Sequence, residues 1–488
     1  MKNLNTIGGD FPVHIYNSLS GRKELLRSIV PEKISLYVCG MTVYDYCHIG
    51  HARVLVVFDV FVRYLRSLGV EVDYVRNITD VDDKIIARAQ ELGLKEEKIT
   101  ERFIRAMHED EKVLNVIRPD AEPRATMYME QIIELIEKLV ELGYAYQGEQ
   151  GDVYFRIRKF KDYGHLSKRT LDQLFSGSRI EINEDKDDPL DFVLWKTYKK
   201  DEPFWESPWG PGRPGWHIEC SAMSMSCLGE QFDIHAGGMD LKFPHHENEI
   251  AQSEASTGRK FVNYWMHNGY VQNDEEKMSK SLGNFFSIRE ILNRDFSQAR
   301  MGEVIRFMML TSHYRSPLNF SPKAIENARV ALIRLYRVLD KIEIYEEKNR
   351  FDTKTGQNWS SFHTAMSDDL NTPEALSVLF NMAKKANRLW DDGKEADARA
   401  MTQQLAVSAN ILGLLYQNPQ HFLQGLNERG QLGPNKNDQM EIERLIEERL
   451  KARSAGDWNK ADQIRESLGK RGILLEDNSD GTTNWRAS

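Results

Sequence analysis

Residues 39–51 constrain the fold most, because they join a run typical of a buried strand to a helical pattern. The preceding run, 34–38, is apolar and β-branched, and the apolar residues of 54–68 recur with the spacing of a helix. The sequence therefore predicts a strand-to-helix turn, with Cys39 at the end of the strand.

The same turn carries His48 and His51 at the N-terminus of the predicted helix. Unpaired N–H groups and the helix dipole favour anions at that position. Gly50 lies between the two histidines and lets the backbone approach a ligand closely. The pattern therefore predicts a phosphate site.

A second strand–helix unit follows the first. Residues 70–76 alternate as a strand does, and the polar residues of 77–84 lead into another helix. Successive units of this kind predict an α/β fold with a doubly wound parallel sheet of the Rossmann type. Ligands bind such sheets at the carboxyl ends of the strands.

Changes in composition divide the rest of the chain, which turns mainly helical from about residue 300. We predict six segments: the first half of the sheet domain (13–130), a connective insertion (131–194), the second half of the sheet domain (195–270), a Lys-rich loop region (271–325), an all-helical bundle (326–425) and a small C-terminal unit (436–488).

The composition argues against a membrane-spanning protein, a secreted protein and the binding of RNA through net charge alone. No apolar run approaches the roughly 20 residues of a membrane span, and the N-terminus lacks a signal-peptide pattern. Four cysteines in 488 residues do not make a disulfide framework, so we expect the reducing cytoplasm. The formal charge of −9 means that an RNA partner would need local basic patches.

One basic stretch lies within the predicted insertion. Between residues 156 and 169, Asp162 is the one acidic residue, and the basic residues are Arg156, Arg158, Lys159, Lys161, Lys168 and Arg169. Two interpretations are open: a solvated face, or a contact with a phosphate backbone.

Four residues could form a metal site. His245 and Glu249 are four residues apart, so on a helix they share one face and can chelate one ion. Zinc accepts thiolate, imidazole and carboxylate ligands at a tetrahedral site. Because Cys39 and Cys220 are far apart in sequence, spacing alone leaves open zinc, or core cysteines beside a solvated helix.

The last motif is the lysine-rich loop at 277–281, after the second half of the sheet. Attack at an α-phosphate spreads negative charge over its oxygens and the leaving pyrophosphate. Positioned imidazole and ammonium groups stabilise that charge. Lys277 and Lys280 are the candidate ammonium groups, acting with His48 and His51.

These motifs make the sequence recognisable. Residues 48–51 and 277–281 are the HIGH and KMSKS motifs of class I aminoacyl-tRNA synthetases, with no letter altered. From about residue 13 to the C-terminus the chain resembles the cysteinyl-tRNA synthetase family. Four further sequence motifs carry the resemblance, at residues 37–40 (YVCG), 76–80 (RNITD), 215–221 (GWHIECS) and 243–249 (FPHHENE). One local departure is Ala236, where many members have Gly.

The resemblance implies one zinc ion per chain, held by Cys39, Cys220, His245 and Glu249. It also implies that the thiol of free cysteine binds this zinc, which thereby rejects serine. A site that requires a specific group rejects analogues by ~10⁴–10⁵ without editing. We therefore expect no editing domain, and the insertion is too short for one.

The family's other positions map onto this chain residue by residue. The ATP site comprises His48, His51, His235 and Lys280, with Lys277 beside the last. The cysteine pocket comprises Gly40, Thr42, Thr79, Trp216 and Asp240. Magnesium is expected with ATP, and region 271–325 is expected to contact the tRNA stem. Cys47 and Cys227 match no ligand position, and we expect both to be buried and inert.

The C-terminal unit matches the family's anticodon-binding positions at Arg453, Trp458 and Asp462. Trp458 offers a flat face for stacking an unpaired base, and the other two can hydrogen-bond a base edge. An isolated Trp between helices is more often a core residue. The implied partners are cysteine tRNA, L-cysteine and ATP, and we expect a monomer.

The sequence therefore predicts ATP-dependent ligation of L-cysteine to its tRNA through a cysteinyl-adenylate. One rival is a cysteine ligase of the same family that acts on an amino-sugar amine, which would lack the unit at 436–488. The other is a non-catalytic tRNA-binding protein, which would not need intact HIGH and KMSKS motifs.

Overall fold

The computed structural model describes the chain in these ranges: 6–171, 173, 185–273, 276–277, 286–295, 297–342, 357–425, 436–471, 473–477 and 483–487. Within them, no helix is both long and apolar enough to cross a membrane.

The first strand–helix units form as the sequence predicts. In order, the elements are β1 (His14–Asn17), β2 (Arg22–Leu25), β3 (Lys33–Val38), α1 (Ile49–Ser67), β4 (Glu71–Arg76), α2 (Asp83–Leu92) and α3 (Glu96–Val113). Strands β3 and β4 are parallel neighbours joined through α1. Of the 19 residues of α1, 13 are buried, so this helix is a core element rather than a surface layer.

An antiparallel sheet forms the insertion. Its elements are α4 (Met129–Glu141), β5 (Ala145–Gln147), β6 (Val153–Phe155), β7 (Phe192–Thr197) and β8 (Gly212–Pro214), with the strands in that order across the sheet. The unit therefore extends beyond the predicted boundary at 194. Trp195 does not return to the parallel sheet, because it pairs with Val153 and Pro214 and is fully buried there.

The parallel sheet is completed by α5 (Trp216–Leu228), β9 (Phe232–Gly238), α6 (Glu247–Thr257) and β10 (Val262–Asn268). The strand order is β10-β9-β3-β4, so the two halves meet where β3 pairs with β9. A ligand site is expected at the carboxyl ends of these two central strands. His245 lies in a single π-helical turn, Lys242–His246, directly before α6.

The elements after the sheet are β11 (Val271–Asn273), β12 (Glu276–Lys277), α7 (Ile288–Leu292), α8 (Gln298–Leu310) and β13 (Leu318–Phe320). The helical bundle contains α9 (Pro322–Lys341), α10 (Gln357–Ser367), α11 (Thr372–Asp391), α12 (Glu395–Ile411) and α13 (Pro419–Gln424). The apolar residues of the bundle continue the core that surrounds α1, so the two regions share one hydrophobic core.

The C-terminal unit contains α14 (Lys436–Ser454), α15 (Trp458–Lys470) and an antiparallel hairpin of β14 (Ile473–Asp477) with β15 (Thr483–Ala487). It has a small core of its own, which includes Ile442, Leu468 and Trp485. The architecture is thus the predicted one: a parallel-sheet domain with an insertion, a helical bundle and a small final unit.

A buried ion pair ties α1 to the helices behind it. Asp59 accepts hydrogen bonds from Arg306, from Arg63 at 2.8 Å and from the Ile117 N–H at 2.7 Å. Arg306 also donates to the Leu412 carbonyl at 2.7 Å, at the end of α12. Both partners of the pair are fully buried, so the charge of Arg306 depends on Asp59 for compensation.

We predict that Asp59→Ala lowers the free energy of unfolding by about 3–5 kcal/mol, because it leaves the Arg306 charge buried and unpaired. Urea titration followed by far-UV circular dichroism measures the change. The matched control is Glu101→Ala, which breaks an exposed pair with Lys98 and should cost less than about 1 kcal/mol. Equal losses in the two variants would contradict the prediction.

Candidate active site

One cavity of about 330 Å³ opens at the carboxyl ends of the parallel strands. Its walls include these predicted residues: Cys39, Gly40, Thr42, His48, His51, Thr79, Trp216, Cys220, Asp240 and His245. Residues from both halves of the sheet domain therefore meet in a single site.

The loops after β3 and β4 are tied together by their backbones. Thr42 and Thr79 form a parallel bridge, in which the Val43 N–H donates to the Thr79 carbonyl at 3.2 Å. The Gly40 N–H donates to the Asn77 side chain at 2.8 Å. A Cβ atom on Gly40 would lie 1.8 Å from the Asn77 carbonyl oxygen, so only glycine fits this close approach.

The HIGH turn is held by its own imidazoles. His48 is the N-cap of α1, and its Nδ1 accepts the Gly50 N–H at 3.0 Å and the His51 N–H at 3.3 Å. The His51 Nδ1 in turn accepts the His48 N–H at 3.2 Å. A Cβ atom on Gly50 would lie 2.8 Å from the His48 ring, so this glycine makes the arrangement possible.

The two rings are stacked, with centroids 3.6 Å apart and planes 19° from parallel. A neutral imidazole donates from one ring nitrogen and accepts at the other. Because both Nδ1 atoms accept from backbone N–H groups, the proton of each neutral ring is on Nε2. The turn therefore fixes the tautomer as well as the position of His48 and His51.

The segment after the KMSKS motif lies against the HIGH turn. Ser287 bridges His48, and the Ile49 N–H donates to the Phe286 carbonyl at 3.1 Å. Of the two predicted lysines, Lys277 is described only by its backbone in β12, where it pairs with Gln272, and Lys280 lies outside the described residues.

The four predicted metal ligands lie close together beside the cavity, and three of them line it. The Cys39 Sγ lies 3.7 Å from the Cys220 Sγ and 3.6 Å from the Glu249 Oε1, which is 3.1 Å from the His245 Nε2. Zinc bonds of ~2.0–2.3 Å place tetrahedral ligand atoms roughly 3.3–3.8 Å apart. The donor set therefore fits zinc in both chemistry and spacing.

Within the described ranges a second set of donors overlaps the first and replaces Cys220 and His245 by His235 and His246. Neither of these two histidines lines the cavity. In the predicted set, Cys39, Cys220 and His245 all line it, so an ion held by that set is within reach of a ligand in the cavity.

Two further histidines hold the predicted ligands in place. The His217 Nδ1 lies 2.9 Å from the Nδ1 of His245, which directs the Nε2 of His245 towards Glu249. The His235 Nε2 lies 2.7 Å from the Glu249 Oε2. Outer partners of this kind orient metal ligands.

The position of His235 corrects the sequence prediction of an ATP contact. Its ring is fully buried, stacked on Trp265 and bonded to Glu249, rather than exposed in the cavity wall. Residues 232–238 are all buried, and His235 is not among the residues that line the cavity. We assign His235 to the support of the metal cluster instead.

Burial determines which groups of the cluster are protonated before a metal ion binds. It raises the pKa of the Cys39 thiol well above its usual value, with the neighbouring Cys220 adding to the shift. It lowers the pKa of His245 well below its usual value, so this imidazole is neutral at pH 7. A neutral imidazole is ready to coordinate, whereas the thiols need a bound cation to become thiolates.

Comparisons with known proteins identify the family of the chain. Residues 25–330 match the family of class I (C) tRNA synthetase catalytic domains, 361–417 match a DALR domain, and 439–486 match a cysteinyl-tRNA ligase anticodon-binding domain. A cysteine–tRNA ligase of Methylococcus capsulatus is 54% identical over 472 residues, which cover 97% of this chain and 99% of that protein. The chain belongs to the cysteine–tRNA ligase family.

Other relatives support the same assignment. A cysteine–tRNA ligase of Coxiella burnetii is 52% identical and covers 97% of this chain and 99% of its own length. The methionyl-tRNA synthetase of Mycobacterium tuberculosis, solved with methionyl-adenylate, has a TM-score of 0.56 at 15% identity, and the match covers 78% of this chain and 89% of that one. The latter likeness establishes the class I fold.

The structure also places the remaining predicted residues of this family member. Trp458 is 61% exposed, Asp462 is exposed, and Arg453 forms an ion pair with Asp477 at 2.9 Å. Cys47 is buried as predicted. Cys227, near the end of α5, is only half-buried, and its Sγ lies 3.5 Å from the Tyr128 hydroxyl.

Sequence reasoning missed several residues of the site. Asn77 and His217 lie inside motifs shared with the family, yet only the structure shows that Asn77 contacts Gly40 and that His217 contacts His245. Arg289 follows the KMSKS motif and donates to Asp110 at 2.9 Å, which fixes α7 on α3. No local pattern signals such a long-range contact.

We predict that His48→Asn keeps the stability of the fold but lowers the rate of ATP–pyrophosphate exchange at least tenfold. Asparagine can still cap α1, but it lacks the imidazole Nε2. His48→Ala should lose activity to a similar extent and, in addition, about 1 kcal/mol of stability, because the cap is gone. Thermal unfolding and exchange assays on both variants test this, and equal stabilities would contradict the capping role.

Proposed function

We propose that this family member joins L-cysteine to its tRNA in an ATP-dependent reaction. The observation that carries the proposal is one cavity lined by the HIGH turn and by three of the four metal donors. Relatives named cysteine–tRNA ligase cover the chain almost from end to end, and its last unit matches an anticodon-binding domain. An ATP site, a thiol site and a tRNA-binding unit are what this reaction requires.

In the first step, the cysteine carboxylate attacks the α-phosphate of ATP, cysteinyl-adenylate forms and pyrophosphate leaves. Negative charge then grows on the phosphate oxygens. His48 and His51 donate from their Nε2–H groups to these oxygens, since their Nδ1 atoms accept backbone N–H groups. The N-terminus of α1 adds its dipole at the same place.

Lys280, assisted by Lys277, neutralises the leaving pyrophosphate. The support is positional: β12 and the segment from residue 286 are the described flanks of the KMSKS motif, and the second flank is bonded to the HIGH turn. Magnesium accompanies ATP.

The cysteine substrate is held by Gly40, Thr42, Thr79, Trp216 and Asp240. Trp216 is 38% exposed and lines the cavity, which argues against a role in core packing. Its ring can face the substrate ammonium group, and the exposed carboxylate of Asp240 can pair with it. The paired backbones of Thr42 and Thr79 keep the two loops in register around the substrate.

Cys39, Cys220, His245 and Glu249 are the residues that would hold zinc. When bound, it supplies a soft Lewis acid that favours a thiol over a hydroxyl. His217 and His235 orient His245 and Glu249, which keeps the four donors at the spacing of a single ion. Because recognition requires the thiol, serine is rejected without an editing step.

In the second step, a hydroxyl at the 3′ end of tRNA attacks the carbonyl of the adenylate and AMP leaves. Trp458 stacks on an anticodon base, and Arg453 and Asp462 contact base edges. The exposure of Trp458 in a unit with its own small core supports this role over core packing.

The rival functions are disfavoured by the same facts. An amino-sugar ligase of the same family is predicted to lack a C-terminal unit, whereas residues 439–486 match an anticodon-binding domain. A non-catalytic protein would have no need of the imidazole arrangement that fixes the tautomers of His48 and His51.

Location and assembly remain proposals that follow from the same reading. We place the enzyme in the cytoplasm as a monomer. All four cysteines are free, as a reducing compartment requires.

We predict that Cys220→Ser loses zinc and raises the KM for cysteine at least tenfold. Losing a ligand should weaken zinc binding by more than the roughly 10–100-fold that losing an outer partner costs. Zinc per chain is measured by mass spectrometry after dialysis against a weak chelator. Cys227→Ser is the matched control, since Cys227 lies outside the cluster. Full zinc content in Cys220→Ser would remove this residue from the metal site.

We predict that Trp458→Ala lowers kcat/KM for tRNA charging at least tenfold and leaves ATP–pyrophosphate exchange unchanged. Loss of one stacked base costs about 1–3 kcal/mol, and the catalytic cavity belongs to a different unit. Met440→Ala, at another exposed position of the same unit, is the control. Equal loss of exchange and charging would show that Trp458 is structural.

A further inference from the structure

Residues 286–292, which we call the flanking segment, pair with the chain on both sides of His48. The Ile288 N–H donates to the Cys47 carbonyl at 2.9 Å, and the Ile49 N–H donates to the carbonyl of the first residue of the segment at 3.1 Å. One bond thus precedes His48 and one follows it. The place of this imidazole therefore depends on where the flanking segment lies.

The helix of the flanking segment cannot fix its own position. Helix α7 has five residues, whereas isolated helices shorter than about 12–15 residues are marginal in water. Its side chains Ile288, Ile291 and Leu292 are buried, but the burial of apolar surface is not directional. The orientation of α7 therefore needs a directional contact, and Arg289 provides one.

Arg289 joins α7 to α3 and to the residue that lies two positions before the HIGH motif. Its guanidinium donates to Asp110 at 2.9 Å, to Glu109 at 2.7 Å and to the Ala106 carbonyl at 3.0 Å. The same guanidinium lies over the Tyr46 ring, 5.0 Å from its centroid, which is a cation–π contact. A planar group with several fixed donors sets direction as well as distance.

Asp110 holds the guanidinium in place. This carboxyl is 2% exposed, and burial raises its pKa to about 6, while the charge of Arg289 opposes that shift. A buried carboxylate without a cation is costly. The pair therefore resists separation, and α7 follows α3.

Helix α3 is a suitable base, because it also holds other parts of the site. Phe103 of α3 meets the Tyr46 ring edge-on, with centroids 5.2 Å apart. Glu111 of the same helix pairs with Arg76, which ends β4 and lines the cavity. One helix thus contacts the approach to the HIGH turn, the flanking segment and the end of β4.

We propose that Arg289 is a positioning residue for the HIGH turn, which sets where His48 and His51 meet the phosphates of ATP. This inference rests on the proposed function, in which both imidazoles stabilise charge on the α-phosphate. Arg289 is not among the described residues that line the cavity, so it acts through the turn rather than on the substrate. Misplacing a catalytic group by about 1 Å can lower a rate by ~10²-fold.

The test is Arg289→Gln in the full-length zinc-loaded enzyme. At saturating ATP we expect the kcat of cysteine-dependent ATP–pyrophosphate exchange to fall at least tenfold, because the imidazoles are misplaced. The KM for cysteine should stay within about twofold of the wild type, and zinc per chain should not change, since the contacts of Arg289 lie on α3 and Tyr46. A general loss of structure would instead lower zinc content and weaken cysteine binding together with kcat.

Nuclear magnetic resonance of isotope-labelled histidine reports on the turn directly. The ring signals of His48 and His51 are assigned by their disappearance in His48→Asn and His51→Asn. Both Nδ1 atoms accept N–H groups of the turn, so we expect both signals to shift in Arg289→Gln. Unshifted ring signals would show that Arg289 does not position these imidazoles.

The matched control is Arg294→Gln, just beyond the flanking segment. Arg294 is exposed and its guanidinium lies over the Phe286 ring, 5.5 Å from the centroid, rather than on α3 or Tyr46. It should keep the wild-type kcat. An equal loss in this control, or a wild-type kcat in Arg289→Gln, overturns the inference.

A double-variant cycle tests the contact with α3. Asp110→Asn should lower kcat by itself, and Asp110→Asn/Arg289→Gln should be no slower than Arg289→Gln, because both changes act through one contact. Losses that simply add would mean that the two residues act independently, which contradicts the proposal.

Two further measurements keep the test decisive. If Arg289→Gln unfolds early, Arg289→Lys replaces it, since lysine keeps the charge beside Asp110 but lacks the planar fork, and kcat should still fall measurably at an unchanged KM for cysteine. The wild-type exchange assay separates the two claims. Absence of cysteine-dependent exchange in the wild type would refute the proposed function, whereas normal wild-type exchange with an unchanged kcat in the variant refutes the role of Arg289 alone.

Discussion

The candidate active site depends on the contacts of Glu249. This fully buried carboxylate belongs to two sets of contacts at once. Its Oε1 faces Cys39 and His245, and its Oε2 is bonded to His235. A buried carboxylate without a cation is costly. Burial favours the neutral forms of the Cys39 thiol and the His245 imidazole, which face Glu249, so neither of these two groups supplies a positive charge. A metal ion at this point would satisfy Glu249 and turn neutral thiols into ligands.

One turn of the chain carries both a predicted metal donor and the two histidines of the proposed ATP site. Cys39 directly follows β3, and His48, which caps α1, stands nine positions further along the chain. Backbone bonds from this turn to the loop after β4, and from its end to residues 286–288, leave it little freedom. The distance between the four predicted metal donors and the N-terminus of α1 is therefore set by local geometry.

How far the sequence could predict this site depends on how far apart in sequence the interacting residues are. The strand, turn and helix around His48 follow from local periodicity, and the four metal donors follow from family resemblance, since spacing alone left alternatives. The partners of those donors were not predictable. His235 was expected at the nucleotide but contacts Glu249, because its strand is buried on both faces. The boundary at 194 was wrong for a related reason: an apolar strand around Trp195 fits a parallel or an antiparallel sheet equally well, and only its pairing decides.

The ion pairs show most clearly that sequence alone does not predict tertiary contacts. A formal charge of −9 does not by itself indicate an RNA partner, and the six lysines and arginines within 156–169 cannot be told apart from the sequence. In the structure, Arg156 and Arg158 are neutralised by aspartates that lie about 30 residues further along the chain. Lys168 and Arg169 have no carboxylate partner within the described ranges: Lys168 donates to the Leu19 carbonyl, and Arg169 lies over the Phe243 ring. The field that an RNA meets is set by which cations remain unpaired, and tertiary contacts rather than net charge determine that.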